Sequence, residues 1–331
     1  LMALNVLPSA QVDVTLAGQI KSWLDWIGEA SIRSGGLAPT TVNEFLRFDP
    51  AAPSAPLSTL PLSYLASGTG AFVYRSSWTD PSATAFVFQA GLSNESHSDQ
   101  ADNQLLIWKG PFWISPNANV FSHSGIRHET VYHNTLTVGS FQQHHKGDPA
   151  RILYSDVTSS LVAIRGQAQS SYWQYSNVAN PLTDYVRTVA YLPTADAFIV
   201  MDQVTAKDPS LVKTLRWHMR SVPVIDGHTF VLRDAGPYQC NGDVLTPSDA
   251  TLGVESYQLG PTVGVGAATS NAVTVSAVGR AQDVFVTVLQ CGSGAPALQP
   301  GLSTFTDHMV VTLGALSVEL PFDSSAPVRL R

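Results

Sequence analysis

Near the start of the chain the apolar positions repeat with helical spacing, and from about residue 71 they gather into short runs. Leu16, Ile20, Trp23, Leu24 and Ile27 fall at i, i+4, i+7, i+8 and i+11, one face of an α-helix, with Gln19, Lys21, Ser22 and Asp25 elsewhere on its surface. Gly35-Gly36 ends this region. The stretch Asp49-Pro50-Ala51-Ala52-Pro53-Ser54-Ala55-Pro56 reads as an extended linker, because proline fixes φ and disfavours helix in the residue before it. Then come β-rich runs: Ala71-Phe72-Val73-Tyr74, Ala85-Phe86-Val87-Phe88, Thr135-Leu136-Thr137-Val138, Leu161-Val162-Ala163-Ile164, Ala197-Phe198-Ile199-Val200, Phe230-Val231-Leu232, Ala272-Val273-Thr274-Val275 and Val284-Phe285-Val286-Thr287-Val288. Gly, Pro, Asn and Asp punctuate them at fairly regular spacing, the sign of an antiparallel sandwich rather than of alternating βαβ units. The pattern predicts an all-β chain in three regions: a helical segment over 1–48, a proline-rich linker over 49–60 and a large antiparallel β-sandwich over 61–331.

Composition narrows the partners. With 44% apolar and only 13% charged residues, the chain can bury a large core, and disorder is excluded. A formal charge of −7 argues against nucleic acid or an anionic membrane as partner, since both attract basic patches. No run approaches the roughly eighteen uninterrupted apolar residues of a membrane span. Leu1 is not followed by the regions of a signal peptide, so the start reads as an internal cut or a mature terminus. Cys240 and Cys291 are the only cysteines, and two leave open both a bridge and a pair of buried thiols. Asn94-Glu95-Ser96 fits an N-glycosylation acceptor, a tripeptide common by chance.

Candidate chemistry is concentrated. His97, His123, His128, His133, His144 and His145, six of the nine histidines, lie between positions 97 and 145. Histidine can ligate metal, move protons near neutral pH or carry charge toward an acidic sugar. His123 and the His144-His145-Lys146-Gly147 stretch read equally as exposed loop. His97 with Asp99 or Asp102 and a distant His133 offers the mixed nitrogen and oxygen set that zinc accepts, without the spacing of a known zinc motif. Tyr132-His133-Asn134-Thr135 enters a strand with Arg127 and His128 just upstream. Such a group suits β-elimination on a uronic acid, which must neutralise a carboxylate, remove the proton beside it and protonate the leaving oxygen. The bland alternative for Tyr132 is a half-buried sheet aromatic.

These residues occur in an ordered series that resembles the C-terminal region of heparinase II/III-like polysaccharide lyases. Gly70-Ala71-Phe72-Val73-Tyr74-Arg75-Ser76-Ser77-Trp78 is similar to the opening strand of that family. His97-Ser98-Asp99-Gln100-Ala101-Asp102 stands where the family shows His-x-His-x-Asp, and Trp108-Lys109-Gly110-Pro111-Phe112-Trp113-Ile114-Ser115-Pro116 resembles its Gly-containing turn and next strand. Tyr132-His133-Asn134-Thr135-Leu136-Thr137-Val138 matches its His-Asn-Thr motif, the most specific element. Arg187-Thr188-Val189-Ala190-Tyr191 and Phe198-Ile199-Val200-Met201-Asp202 look like later sheet strands, so the resemblance spans roughly residues 60 to 295.

The resemblance implies a β-sandwich beside a helical remnant, around residues 12 to 33, of an (α/α) toroid. It implies a secreted or periplasmic lyase acting on a uronic-acid polysaccharide, with the rest of the toroid supplied by another segment or a separate chain. Carried onto this sequence, His97 takes the place of a histidine used near the reacting sugar, while the family commonly draws its catalytic tyrosine and a carboxylate-neutralising Asn or His from the toroid. The residues themselves offer Tyr132 and Arg127 beside His97 as catalytic groups, and Asn134, His128 and Lys109 as binders of the acidic saccharide. His133, Asp99 and Asp102 are the candidates for a structural zinc or other divalent metal. The metal site departs from the family in either of two registers: Asp99 replaces a ligand histidine, or His97 is that ligand with Glu95 at the first histidine, and in both Ser115 replaces a ligand aspartate while His133 is kept. Those changes motivate a second reading, a non-catalytic glycan-binding or assembly module that has lost its zinc. A third is a structural β protein whose exposed Trp and Tyr side chains mediate packing between subunits.

Overall fold

A computed structural model describes residues 14–27, 53–91, 99–110, 112–114, 128–144, 150–172, 179–219, 221–233, 237–259, 268–294 and 299–331. The chain forms two compact units, Leu1–Leu62 with Ser77–Ala83, and Ser63–Ser76 with Thr84–Arg331.

In the first unit, helix α1 (Val14–Ile27) lies along the extended segment that follows it. Ala55 donates its amide to Gly18 O at 3.0 Å, Ser22 Oγ donates to Ala55 O at 2.6 Å, and Gln19 Nε2 reaches Thr59 Oγ1 at 2.6 Å. Glycine permits this approach, because a Cβ on Gly18 would stand 2.9 Å from the Ala55 side chain. Gln19 and Lys21 are consequently buried, whereas Val14 and Leu16 are 63% and 39% exposed. The helix is where periodicity puts it, but at Leu16 its buried face is not the apolar one. Hydrogen bonding to the proline-rich segment outweighs apolar burial there.

The second unit is all-β, with every strand pair antiparallel among the described residues. One sheet runs in order β1 (Ser63–Ala66), β2 (Ala71–Arg75), β3 (Thr84–Gln89), β4 (Gln104–Lys109) and β5 (Phe112–Ile114). A second contains β6 (Leu136–Val138), β11 (Lys213–Met219), β15 (Thr251–Leu259) and β16 (Ala268–Ala277), ordered β15-β16-β11-β6. The largest, of eight strands, contains β7 (Arg151–Val157), β8 (Val162–Gln167), β9 (Leu182–Leu192), β10 (Ala197–Ala206), β12 (Val224–Asp226), β13 (Thr229–Arg233), β14 (Gln239–Thr246) and β17 (Gln282–Gly292). The last is β18 (Pro300–Thr304), β19 (His308–Leu313), β20 (Leu316–Pro321) and β21 (Arg329–Leu330).

Alternation within the eight-stranded sheet explains the layering, since successive side chains of a strand point to opposite faces. From β10, Phe198, Val200 and Val204 join one core with Phe72, Phe86, Phe88, Leu105, Leu215 and Trp217 of the first two sheets. Ala197, Ile199 and Met201 join a second core with Met309, Val311, Val318 and Leu320 of the last sheet. The sandwich therefore has three layers, and its central strands are apolar on both faces, as the run Ala197-Phe198-Ile199-Val200-Met201 shows. Cys240 and Cys291 are direct cross-strand partners on β14 and β17 and form a disulfide, with Cα atoms 4.1 Å apart. No described helix is long and apolar enough to cross a membrane.

Candidate functional site

The His133-Asn134-Thr135 segment is fastened from below before it presents anything to solvent. Arg187 on β9 and Asp202 on β10 are register partners, fully buried and paired at 2.7 Å and 3.2 Å. Arg187 Nη1 donates to the backbone carbonyls of Asn103 at 2.7 Å and Asn134 at 2.6 Å, so one guanidinium anchors both segments that make the site. Burial works against the charge on Arg187, but Asp202, with Tyr185 and Tyr172, outweighs it and holds its pKa above the ordinary value.

Asn134 then ties three strands. Its Nδ2 donates to Leu105 O at 3.0 Å and Ile114 O at 3.2 Å, and its Oδ1 accepts the His218 amide at 2.7 Å. Thr135 Oγ1 donates to Asp102 O at 2.7 Å. Gln143 locks the same corner: its Oε1 accepts the Asp102 amide at 2.5 Å and its Nε2 donates to Asp102 O at 2.9 Å and Tyr172 OH at 3.2 Å. Burial pushes the Tyr172 phenol far up, and it donates to Leu136 O at 2.5 Å. The His-Asn-Thr motif thus acts first as a structural clasp.

On this base sits a rim of imidazoles and phenols. The Gln100 amide donates to His128 O at 2.8 Å, which brings Asp99 beside the 128–133 segment. Asp99 Oδ1 is 2.8 Å from His128 Nδ1 and 3.9 Å from His133 Nε2, with Asp99 43% and His128 24% exposed at the side chain. His133 is buried, its Nδ1 2.9 Å from Gln104 Oε1. A single 3-10 turn, Thr130–Tyr132, carries the half-buried Tyr132 ring to 5.1 Å from Tyr257 on β15, edge to face. Tyr257 donates to Glu255, which also takes two hydrogen bonds from Arg216, at 2.8 Å and 3.2 Å. Burial works against the Glu255 charge, yet these bonds hold its pKa below the usual value, while burial and Glu255 raise the Tyr257 phenol. Burial, then His133 and Arg216, lower the His218 pKa to about 3, against two ring nitrogens that both face acceptors, Nδ1 toward Asn134 Oδ1 at 3.1 Å and Nε2 toward Val131 O at 3.0 Å.

Of the residues singled out in the sequence, the structure brings together Asp99, His128 and His133, seats Asn134 next to them in the buried network, and packs Tyr132 on Tyr257. His97, Arg127, His123 and His145 lie outside the described residues. Three placements differ from the expectation. Asn134 is wholly buried with its amide engaged on both sides, so it supports the site instead of facing a sugar. Lys109 pairs with Asp196 at 2.6 Å and stands five residues along β4 from Gln104, the partner of His133, about 16 Å of strand at ~3.3 Å per residue. The Asp102 carboxylate is turned inward, accepting the Gly91 amide at 3.1 Å and Ser171 Oγ at 2.6 Å.

A structural zinc takes about four nitrogen, sulfur or oxygen ligands. Among the described residues no three of His, Cys, Asp and Glu stand close enough to share an ion. Asp99 is bonded to His128, and His133 Nδ1 is turned to Gln104. The described residues do not fit the metal. Sequence reasoning missed Arg187, Gln143, Arg216, Glu255 and Tyr257. The signal for the last pair was an acid and a phenol two apart on one strand, hence on one face.

No protein-family model matches the sequence, and no curated protein does. Solved structures do match in fold. The heparan sulfate lyase HepC of Pedobacter heparinus superposes with a TM-score of 0.67 at 18% identity, covering 90% of this chain and 47% of that one. A heparinase III, the BT4657 gene product, gives 0.67 at 14% identity over 85% of this chain and 45% of its own. Another heparinase III gives 0.63 at 15%, covering 81% and 43%. The chain thus spans about half the length of these neighbours. The unit of residues 63–76 and 84–331 carries the β-sandwich fold found in heparinase III-like lyases.

Proposed function

We propose that this chain is the β-sandwich portion of a polysaccharide lyase that cleaves a uronic-acid polymer by β-elimination outside the cytoplasm. The observation that carries the reading is the cluster of Asp99, His128 and His133 on the anchored segment that also carries Tyr132. In the reaction a base removes the proton from the carbon beside the carboxylate. The C–H electrons form a carbon–carbon double bond, and the bond to the leaving oxygen breaks with its electron pair on oxygen, which then takes a proton. Tyr132 and His97 exchange these protons; Arg127 and His128 neutralise the carboxylate that makes the C–H acidic. Asp99 orients His128 through their 2.8 Å contact. A helical toroid segment completes the cleft. The likeness to heparan sulfate lyase structures supports the substrate class, and the Cys240–Cys291 bridge supports an oxidising compartment.

The test is incubation of the intact protein with alginate, heparin-type, chondroitin-type and glucuronan polymers. One of them is expected to give unsaturated, ultraviolet-absorbing ends. Binding to a polymer with no such product from any of the four would favour a glycan-binding module, the reading motivated by Asp99 and Ser115 in place of metal ligands.

A further inference from the structure

The polar face of the sheet ordered β15-β16-β11-β6 carries an ionic cluster that the chemistry proposed above does not use. Across that face the register sets Glu255 of β15 beside Ala272 of β16 and His218 of β11, and Tyr257 beside Ser270. Ala272 and Ser270 are small, so longer side chains on either side have room to meet over them. Arg216 makes the crossing. Its Nε and Nη2 donate to the two oxygens of Glu255 at 2.8 Å and 3.2 Å, its Nε is also shared with Tyr257 OH at 3.1 Å, and its Nη1 donates to Thr137 Oγ1 on β6 at 2.6 Å. Tyr257 in turn donates to Glu255. One buried guanidinium thus links β6, β11 and β15 and holds the phenol oxygen of Tyr257 from two sides.

What this clasp fixes is the Tyr257 ring, and that ring meets the Thr130–Tyr132 turn twice. It stands edge to face with Tyr132, centroids 5.1 Å apart and planes at 67°, a directional contact that favours one mutual orientation. It also lies 5.7 Å from the His218 ring, whose Nε2 faces Val131 O of the same turn at 3.0 Å. The turn itself is short. Its backbone bonds are Tyr132 N to Glu129 O at 2.9 Å and His133 N to Thr130 O at 3.1 Å, and 3-10 hydrogen bonds have poorer geometry than those of an α-helix. Side-chain packing therefore has to set the direction in which Tyr132 points. Direction matters for a reacting group, since a misplacement of about 1 Å costs about 100-fold in rate.

We propose that Tyr257, clasped by Arg216 and Glu255, is a positioning residue that sets the orientation of the Tyr132 phenol. That the phenol so placed moves a proton in β-elimination rests on the function proposed above; the placement itself does not. Two substitutions separate the ring from its clasp. Tyr257→Leu removes the aromatic wall and keeps apolar bulk on the strand, whereas Tyr257→Phe keeps the wall and releases it from Glu255 and Arg216. The second should therefore act in the same direction as the first and less strongly.

The experiment has two readouts on the intact protein. The first is NMR relaxation of ring-labelled tyrosine, with the Tyr132 signal assigned by its loss in Tyr132→Phe. In Tyr257→Leu the order parameter of the Tyr132 ring should fall below about 0.6, the range of flexible groups, with Tyr257→Phe between that and the parent. The second is the rate at which unsaturated ends form from a uronate polymer. Tyr257→Leu should lower kcat by about ten-fold or more with KM within about two-fold, and Tyr257→Phe should recover most of the loss. Because Tyr257 acts through the phenol, adding Tyr257→Leu to Tyr132→Phe should cost less than about two-fold more, which a general loss of structure would not reproduce. A Tyr132 ring as ordered in Tyr257→Leu as in the parent would overturn the proposal, and so would an equal penalty with and without the Tyr132 hydroxyl. A parent protein that forms no unsaturated product from any polymer would instead remove the lyase reading, and the ring order alone would then decide the placement.

Discussion

The two faces of the eight-stranded sheet bury an arginine each, and they use it differently. Arg187 faces the layer that carries the candidate site, is paired with Asp202, lies over the Trp217 ring at 5.6 Å and holds the carbonyls of Asn103 and Asn134. Arg165 faces the last sheet, has Thr188 Oγ1 on its Nε at 2.9 Å, and gives Nη1 to the carbonyls of Ser324 at 2.7 Å and Ala326 at 2.8 Å, with no acid among the described residues bonded to it. Burial lowers the Arg165 pKa, while Asp202 keeps that of Arg187 above the ordinary value. The site-side arginine is thus a fixed ionic post under a constellation of polar side chains. The far-side one caps a C-terminal loop that is partly exposed. Buried polarity in this fold is concentrated where geometry has to be held.

Breaking the post should have the largest effect. Asp202→Ala leaves the Arg187 charge buried without its carboxylate, and about 3–5 kcal/mol of stability should be lost in denaturant melts. Next comes Gln143→Ala, which strips the Asp102 amide and carbonyl of their partners within the same network; about 1–3 kcal/mol is expected. Arg165→Met should cost less, about 0.5–1.5 kcal/mol, since water can reach the carbonyls it leaves. A far-side loss as large as that of Asp202→Ala would erase the contrast.

A smaller effect lies in pH. Burial holds the Asp102 carboxyl above its ordinary value, against the hydrogen bonds from Ser171 and Gly91. The folded state therefore binds this proton more tightly than the unfolded chain. The stabilisation is complete below the unfolded value of 3.8 and is lost as pH rises through the folded one. Asp102→Asn should flatten that fall in a series of melts, and an unchanged slope would show that the carboxyl titrates as it does in the unfolded chain.

Much of this was legible in the sequence, for identifiable reasons. The runs at 197–200 and 284–288 are strands because a sheet covered on both faces needs apolar residues at successive positions. The third layer went unread: β18–β21 are short, carry Gly, Ser, Thr and Glu on their outer face, and were absorbed into one sandwich. His133-Asn134-Thr135 stood out by motif, but its residue types do not say which side chains turn inward; that depends on Arg187 and Gln143, 53 and 8 residues from their partners Asn134 and Thr135. Tyr257 was hidden for the same reason. Its link to Tyr132 crosses from β15 to the 3-10 turn, and no local pattern records it.

The most direct measurement is the initial rate at which unsaturated ends form from a uronate polymer, taken for the intact protein, Tyr132→Phe and Arg165→Met at a temperature where all three are folded. A phenol that moves a proton in the reaction predicts a fall of about 100-fold or more for Tyr132→Phe, with Arg165→Met within about two-fold of the parent. A Tyr132→Phe rate equal to that of the parent would contradict the assignment of chemistry to this rim.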